Sequence, residues 1–98
     1  MSENPQNPKA VKLQIQLDDQ IAQGAYCNMS MVNHTAAEFA LDFAYVQPQQ
    51  PRAKVRARII MSPLGAKRFL SMLAENVNRY EDRFGKIETP PNMDMEVQ

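Results

Sequence analysis

The sequence predicts an α+β domain: a four-stranded antiparallel meander sheet followed by one long C-terminal amphipathic helix packed on one face. Two observations predict this class. Four stretches between residues 11 and 61 alternate apolar and polar residues, as half-buried strands do. The stretch from Ser62 to Gly85 instead repeats apolar residues every three or four positions, between a capping residue and a glycine.

The first two predicted strands cover residues 11–18 and 26–32. In the first, the apolar residues occupy every second position and are expected to share one buried face: Val11, Leu13, Ile15 and Leu17. In the second, Cys27, Met29 and Met31 share a face, which we interpret as a core face. Asn33-His34-Thr35 then has the composition of a turn.

The third and fourth predicted strands cover residues 38–46 and 53–61, with a proline-containing loop between them. They are close enough in sequence to pair antiparallel. Odd-numbered residues must oppose odd-numbered ones, because a slip of one residue would bring Arg56 to the aromatic face. In that register Asp42 lies opposite Arg56 or Arg58.

The helix is predicted to begin at Ser62-Pro63 and to end at Gly85, since serine caps and proline fits the first helical position. Its length would be about 22 residues, or roughly 33 Å. Strands of this length reach only about 27–30 Å, so we expect the end of the helix to overhang the sheet and contact another copy. The facing apolar stripes predict a shared core of Phe39, Leu41, Phe43, Leu70, Leu73 and Val77. The predicted oligomer contacts are Tyr80, Phe84 and Ile87.

The predicted domain covers residues 10–87, between disordered, proline-containing tails at residues 1–9 and 88–98. A core of this size rarely supplies more than about 3–5 kcal/mol. The single cysteine excludes an internal disulfide. We therefore expect a homodimer or a higher homo-oligomer.

Composition narrows the class of protein. Eleven basic and eleven acidic residues give a net charge of zero, so the overall field does not favour nucleic acid or an anionic membrane. The sequence has no signal-peptide pattern and no apolar run of membrane-spanning length. One cysteine and seven methionines fit a reducing interior. We expect a cytoplasmic protein without a membrane partner.

No catalytic, cofactor-binding or metal-binding residue is predicted. His34 is the only histidine, and it has no second ligand or nucleophile at a recognisable spacing. Cys27 lies on an apparent core face, where a thiol behaves as a small apolar group. An enzyme is therefore the last of the functional classes that we consider.

One set of basic residues indicates an alternative function. Residues at every second position of a strand share a face of the sheet, so these residues could form a basic stripe there. Sheets that bind nucleic acid usually add exposed aromatic side chains for base stacking. Here every strand aromatic except Tyr26 is predicted on the core face. A solvated sheet face is the simpler interpretation, and partner or nucleic-acid contact is the alternative for Lys12, Arg52, Lys54, Arg56 and Arg58.

A set of short motifs supports a family resemblance. They are Gln23-Gly24, Tyr26, Asn28, Asn33-His34-Thr35, Glu38-Phe39, Leu41-Asp42-Phe43, Arg58-Ile59-Ile60, Ser62-Pro63, Ala66-Lys67, and Asn76 to Gly85 with Tyr80-Glu81 and Phe84-Gly85. With these motifs the sequence resembles a small bacterial and archaeal family, domain-of-unknown-function family 3467, over about residues 11–87. The resemblance implies a short, cytoplasmic, single-domain protein and brings no activity or catalytic residue.

At the level of architecture, four antiparallel strands and a long helix are also similar to the export chaperone SecB and to the single-strand-binding whirly and positive-cofactor-four folds. Those proteins self-associate, but a shared fold does not establish function. We predict a non-catalytic, self-associating interaction module, adaptor-like or chaperone-like, with an unidentified protein partner. Nucleic-acid binding through the basic sheet face is the alternative.

Overall fold

The computed structural model describes residues 12–90 as a three-stranded sheet followed by a long helix. The strands are β1 (Met29–His34), β2 (Phe39–Val46) and β3 (Ala53–Met61), antiparallel in the order β1-β2-β3. A single helical turn, α1 (Asp19–Ala22), precedes them, and α2 (Pro63–Phe84) follows. The predicted α+β class is confirmed. The predicted tail at residues 1–9 and residues 91–98 of the other tail lie outside the described residues.

The predicted first strand is wrong over its described part, so the sheet has three strands and not four. Residues 12–18 have no regular secondary structure. Leu13 and Ile15 are 81% and 84% exposed. Alternation predicts which side chains could share a face, but a strand also needs a neighbour that pairs its backbone groups. Within the described chain, residues 12–18 have no such neighbour.

Two polar side chains hold the β1–β2 hairpin at its ends. Thr35 accepts hydrogen bonds at Oγ1 from the backbone N–H groups of Ala37 (3.1 Å) and Glu38 (3.3 Å), which closes the turn. At the open end, the Asn28 amide donates to the Val46 carbonyl (3.1 Å) and accepts from the Val46 N–H (2.8 Å). An amide side chain thus extends the backbone ladder beyond Met29, where β1 begins.

The register between β2 and β3 confirms the predicted pairing over most of its length. Phe39 lies opposite Met61, Leu41 opposite Ile59 and Phe43 opposite Ala57, with Asp42 opposite Arg58. The register then shifts between Phe43 and Ala44, so that Ala44 lies opposite Val55 and Arg56 is the extra residue. Such a bulge changes which side chains share a face, and alternation along one strand does not reveal it.

The helix α2 begins and ends as predicted. Ser62 is the N-cap, and its hydroxyl accepts a hydrogen bond of 3.0 Å from the Gly65 N–H. Pro63 is the first helical residue. At the other end Gly85 has φ 103°, a backbone conformation that favours glycine. The Glu81 carboxylate then accepts from the Ile87 N–H at 3.0 Å, which turns the chain back toward the helix.

Ser62→Ala is expected to lower the free energy of unfolding by about 1 kcal/mol, because the Gly65 N–H loses its acceptor. Ser62→Asp should retain most of the wild-type stability, since aspartate caps as well as serine does. Urea unfolding followed by circular dichroism measures both. Equal losses in the two variants would contradict a capping role for the hydroxyl.

The helix leaves the sheet largely uncovered. Among the strands, β3 makes its principal contact with α2, immediately after the Ser62 connection. Within residues 12–90, only Leu41 and Ala44 are buried apolar residues, and no residue of α2 is buried. The expected packing of helix on sheet is thus confined to the start of the helix. Five of the six predicted core residues line an open groove instead of a closed core, and Val77 lies outside it.

Candidate functional site

The groove between the sheet and the first half of α2 has a volume of about 630 Å³. Its walls are apolar apart from Ser30 and Lys67. The sheet side and the helix side contribute comparable numbers of side chains. The apolar lining consists of Val32, Phe39, Leu41, Phe43, Pro63, Ala66, Phe69, Leu70 and Leu73.

Strand pairing and helix periodicity together produce this groove. Val32 lies opposite Leu41 in the β1–β2 register, so both side chains point to the same face of the sheet. On α2 the lining residues recur every three or four positions, which places them along one stripe. Leu70 remains 65% exposed and Leu73 49% exposed. The stripe is therefore available to another apolar surface.

The predicted oligomer contacts lie on the second half of α2 and in the segment that follows it. The Tyr80 and Phe84 rings lie 5.0 Å apart, and the Arg83 guanidinium lies 5.4 Å from the centre of the Phe84 ring. Tyr80 and Ile87 line a shallow pocket with Asn76 and Val77. All three predicted residues, Tyr80, Phe84 and Ile87, are substantially exposed. The structure thus places them together on one end of the molecule.

The predicted basic residues do not form one stripe. Lys54 lies opposite Tyr45, and Arg58 lies opposite Asp42, on the other face of β2. Arg56 occupies the bulge and donates a hydrogen bond of 3.2 Å to the Tyr26 carbonyl. Lys12 lies in the N-terminal segment without regular secondary structure, and Arg52 lies in the loop before β3. Their contact with a partner or nucleic acid stays a prediction.

Arg58 and Asp42 form a bidentate ion pair. Arg58 donates from Nε to Asp42 Oδ1 at 2.7 Å and from its terminal nitrogen to Oδ2 at 3.0 Å. Asp42 is only 4% exposed. The hydrogen bonds from Arg58 hold the pKa of the Asp42 carboxyl below its ordinary value of 3.8, against the opposing effect of burial. Arg58 is thus committed to the protein's own carboxylate.

Asp42→Asn should reduce the acid sensitivity of the fold. A lowered carboxyl pKa contributes stability that is present above the ordinary value of 3.8 and is lost as the pH falls through the lowered value. The variant should be less stable than wild type at pH 7, and the difference should shrink below pH 3.8. Thermal melts across this range measure it, with Glu75→Gln, at the exposed Arg79 pair, as the control. A difference between Asp42→Asn and wild type that stays constant with pH would contradict this assignment.

An aromatic and basic patch lies at the open end of the β1–β2 hairpin, next to the loop between β2 and β3. Tyr26 is 71% exposed, and its ring meets that of Tyr45 edge to face at 6.2 Å. Lys54 is the cross-strand neighbour of Tyr45, and Arg56 reaches the Tyr26 backbone. We call Tyr26, Tyr45, Lys54 and Arg56 the Tyr26 patch. Sequence alternation predicted Tyr45 on the core face, away from Lys54 and Arg56, because the bulge at Arg56 has no local signature.

The remaining polar candidates have structural contacts. The His34 ring stacks on Phe39, with 5.3 Å between ring centres. Cys27 is a free, half-buried thiol that donates to the Ala25 carbonyl at 3.7 Å. Met29 and Met31 lie opposite Ala44 and Asp42, on the face of the sheet away from the groove. Among residues 12–90, no three His, Cys, Asp or Glu side chains converge as a metal site would require.

Within the described residues, no helix has the length and apolar character needed to cross a membrane.

Comparison with known proteins supports the family resemblance. No curated protein and no solved structure matches the chain significantly. The model of the family DUF3467, described as proteins of unknown function, matches residues 1–89. The chain therefore belongs to the DUF3467 family.

Proposed function

We propose that this protein is a non-catalytic interaction module that folds by self-association, with the groove covered by a second copy. The observation that carries this proposal is the near absence of a core. Within the described chain only Leu41 and Ala44 are buried apolar residues, whereas the groove-lining Leu70 and Leu73 remain exposed. A large exposed apolar surface of this kind is typical of an interface.

Energetic magnitudes support an assembly that is needed for folding. Complete burial of a Leu or Phe side chain contributes about 1.5–3 kcal/mol. The free energy of unfolding of a native protein is at least about 5 kcal/mol. Burial of a few groove residues under a partner would therefore contribute a free energy as large as the stability of a small domain. Ordering 22 residues of α2 has a large entropic cost. Burial of the groove residues under a partner would offset that cost.

The contacts of the polar side chains support the non-catalytic part of the proposal. Asp42 is engaged by Arg58, and His34 stacks on Phe39. Each of these groups thus has a structural explanation that requires no substrate.

We place the protein in the cytoplasm, in line with its single cysteine, and propose that the assembly also binds a further protein. Affinity capture from the source cell with an intact assembly would identify that protein.

A melting temperature that rises with protein concentration would support this function directly. When folding and association are coupled, mass action stabilises the folded state as concentration increases. Calorimetry over a hundredfold concentration range is the measurement. A melting temperature independent of concentration, together with a monomeric mass, would overturn the proposal.

The Tyr26 patch favours nucleic-acid binding as a second candidate function. The exposed Tyr26 ring meets Tyr45, whose cross-strand neighbour is Lys54, and Arg56 reaches the Tyr26 backbone. The patch therefore offers groups for both base stacking and phosphate contact. Fluorescence anisotropy with a labelled single strand should then show affinity that falls steeply with salt. Tyr26→Ala should weaken binding about 5–150-fold, as expected for about 1–3 kcal/mol per stacked base. Lys54→Gln should flatten the salt dependence, whereas Lys86→Gln, the same charge change elsewhere, should not. No binding at low salt would exclude this candidate.

A further inference from the structure

We infer that residues 12–17 of one copy, the N-terminal arm, add as a fourth antiparallel strand to the outer edge of β1 in a second copy. The added strand would extend the groove face of that copy's sheet. This inference rests on the proposed self-association and names the segments that carry it. The site is the sheet edge of the second copy, and the arm is its occupant.

The arm has the properties of a strand without a partner. Leu13, Ile15 and Leu17 alternate with Lys12, Gln14 and Gln16, and all six residues are exposed. Half-buried strands show this alternation, whereas a solvated linker does not require large apolar residues at every second position. The arm and β1 both contain six residues. Each spans about 20 Å when extended, so their lengths match.

The outer edge of β1 is the better of the two edges for accepting a strand. On its inner side, β1 pairs with β2 without a bulge from Met29 to His34. The strand contains no proline, lysine, arginine, aspartate or glutamate. The other edge belongs to β3, which is interrupted by the bulge at Arg56 and carries Lys54. Bulges and lysines are features that protect an edge against pairing. The arm is therefore expected at β1.

Edge-to-edge pairing also places the apolar residues of the arm and of β1 on the same face of the sheet. Val32 lies on the groove face of β1, beside Leu41. An antiparallel register with Ile15 opposite Val32 places Leu13 and Leu17 on the groove face as well. The polar arm residues then lie on the side of Met29 and Met31. A shift of one residue would reverse this arrangement, which makes the register testable.

The path of the chain favours a second copy over the arm's own sheet. In the described structure the arm does not pair with its own β1. The turn of α1 (Asp19–Ala22) and the bend at Gly24, where φ is 79°, separate the two segments. Exchange of the arm lets each copy supply the strand that the other lacks. A symmetric pair of copies would then extend both sheets equally.

Disulfide trapping in the full chain tests the exchange. In a Cys27→Ser background, chains with Ile15→Cys and chains with Val32→Cys are refolded together and oxidised mildly. We expect a disulfide-linked dimer at least about tenfold more abundant in the mixture than with either chain alone. Gln14→Cys paired with Val32→Cys is the matched control and should give little product, because residue 14 lies on the opposite face. A further chain with both Ile15→Cys and Val32→Cys tests whether the arm folds back on its own sheet.

Four outcomes would overturn the inference. Efficient linkage by Val32→Cys alone would indicate that two β1 strands pair directly. An intrachain disulfide in the doubly substituted chain at high dilution would show the arm on its own sheet. Absence of mixed product in a sample that sedimentation shows to be dimeric would contradict exchange of the arm but not self-association. A monomeric sample would contradict both.

An unsubstituted protein provides the second measurement. In dimers assembled from isotope-labelled and unlabelled chains, isotope-filtered nuclear Overhauser spectra report only contacts between copies. Exchange of the arm predicts contacts between the methyl groups of Ile15 in one copy and Val32 in the other. Contacts of Ile15 only within its own copy would contradict the inference, whatever the cysteine variants do.

Discussion

Leu70→Asp is expected to dissociate the assembly and to remove most of the folded structure with it. Leu70 lines the groove and is 65% exposed within one chain, so aspartate there would be harmless to a monomer. Under a second copy the same carboxylate would be desolvated without a partner, at a cost of several kcal/mol. We expect the dimer dissociation constant to rise at least about 100-fold, or roughly 2.7 kcal/mol.

Ser71→Asp is the matched control. It introduces the same charge one position along α2, at an exposed site outside the groove. Sedimentation velocity and circular dichroism of both variants compare the two positions. If Leu70→Asp and Ser71→Asp remain assembled equally well, the groove is not the interface.

Leu73→Ala is expected to lower the free energy of unfolding by about 2–5 kcal/mol, as for a leucine in a packed core. Within one chain Leu73 is 49% exposed, so its truncation there would cost far less. The large value is expected because the groove is proposed to be closed in the assembly. Urea unfolding at a fixed protein concentration measures the difference.

Leu64→Ala separates groove burial from helix propensity. Leu64 also lies on α2 and is exposed, but it does not line the groove. Because leucine and alanine are both good helix formers, its truncation should cost less than about 1 kcal/mol. Similar losses for Leu64→Ala and Leu73→Ala would mean that the groove is not covered by a partner.

Local chemistry made part of the fold predictable. Ser62, Pro63 and Gly85 mark the ends of α2 through preferences of single residues, so the helix was located correctly. The strand Ala53–Met61 also has its predicted bounds. Asp42 lies opposite Arg58 as expected, since one face of the paired strands must be apolar. These features depend on neighbours in sequence or on one adjacent strand.

Features that depend on distant partners were not predictable in the same way. The arm has a strand pattern, but a pattern does not say which edge, or whose, completes the backbone pairing. The groove was expected as a closed core because Phe43 and Leu73 lie on complementary stripes. A periodic pattern indicates that a face will be buried without indicating by what. The second copy is our proposal for the missing surface.

The candidate binding sites show the same division. Tyr80 and Phe84 follow from helix periodicity and do lie together. The basic residues were grouped by parity along one strand, and the bulge at Arg56 separates Lys54 from Arg58. That bulge also creates the Tyr26 patch. A change of one residue in register therefore decided which charges share a face.

Sedimentation equilibrium of the intact protein shows whether the folded species is an assembly or a single chain. It yields the mass of the folded species without depending on shape. Across the micromolar range, with the helical signal of α2 present, self-association predicts at least twice the 11.2 kDa of one chain. A folded species of 11.2 kDa throughout that range would contradict folding by self-association.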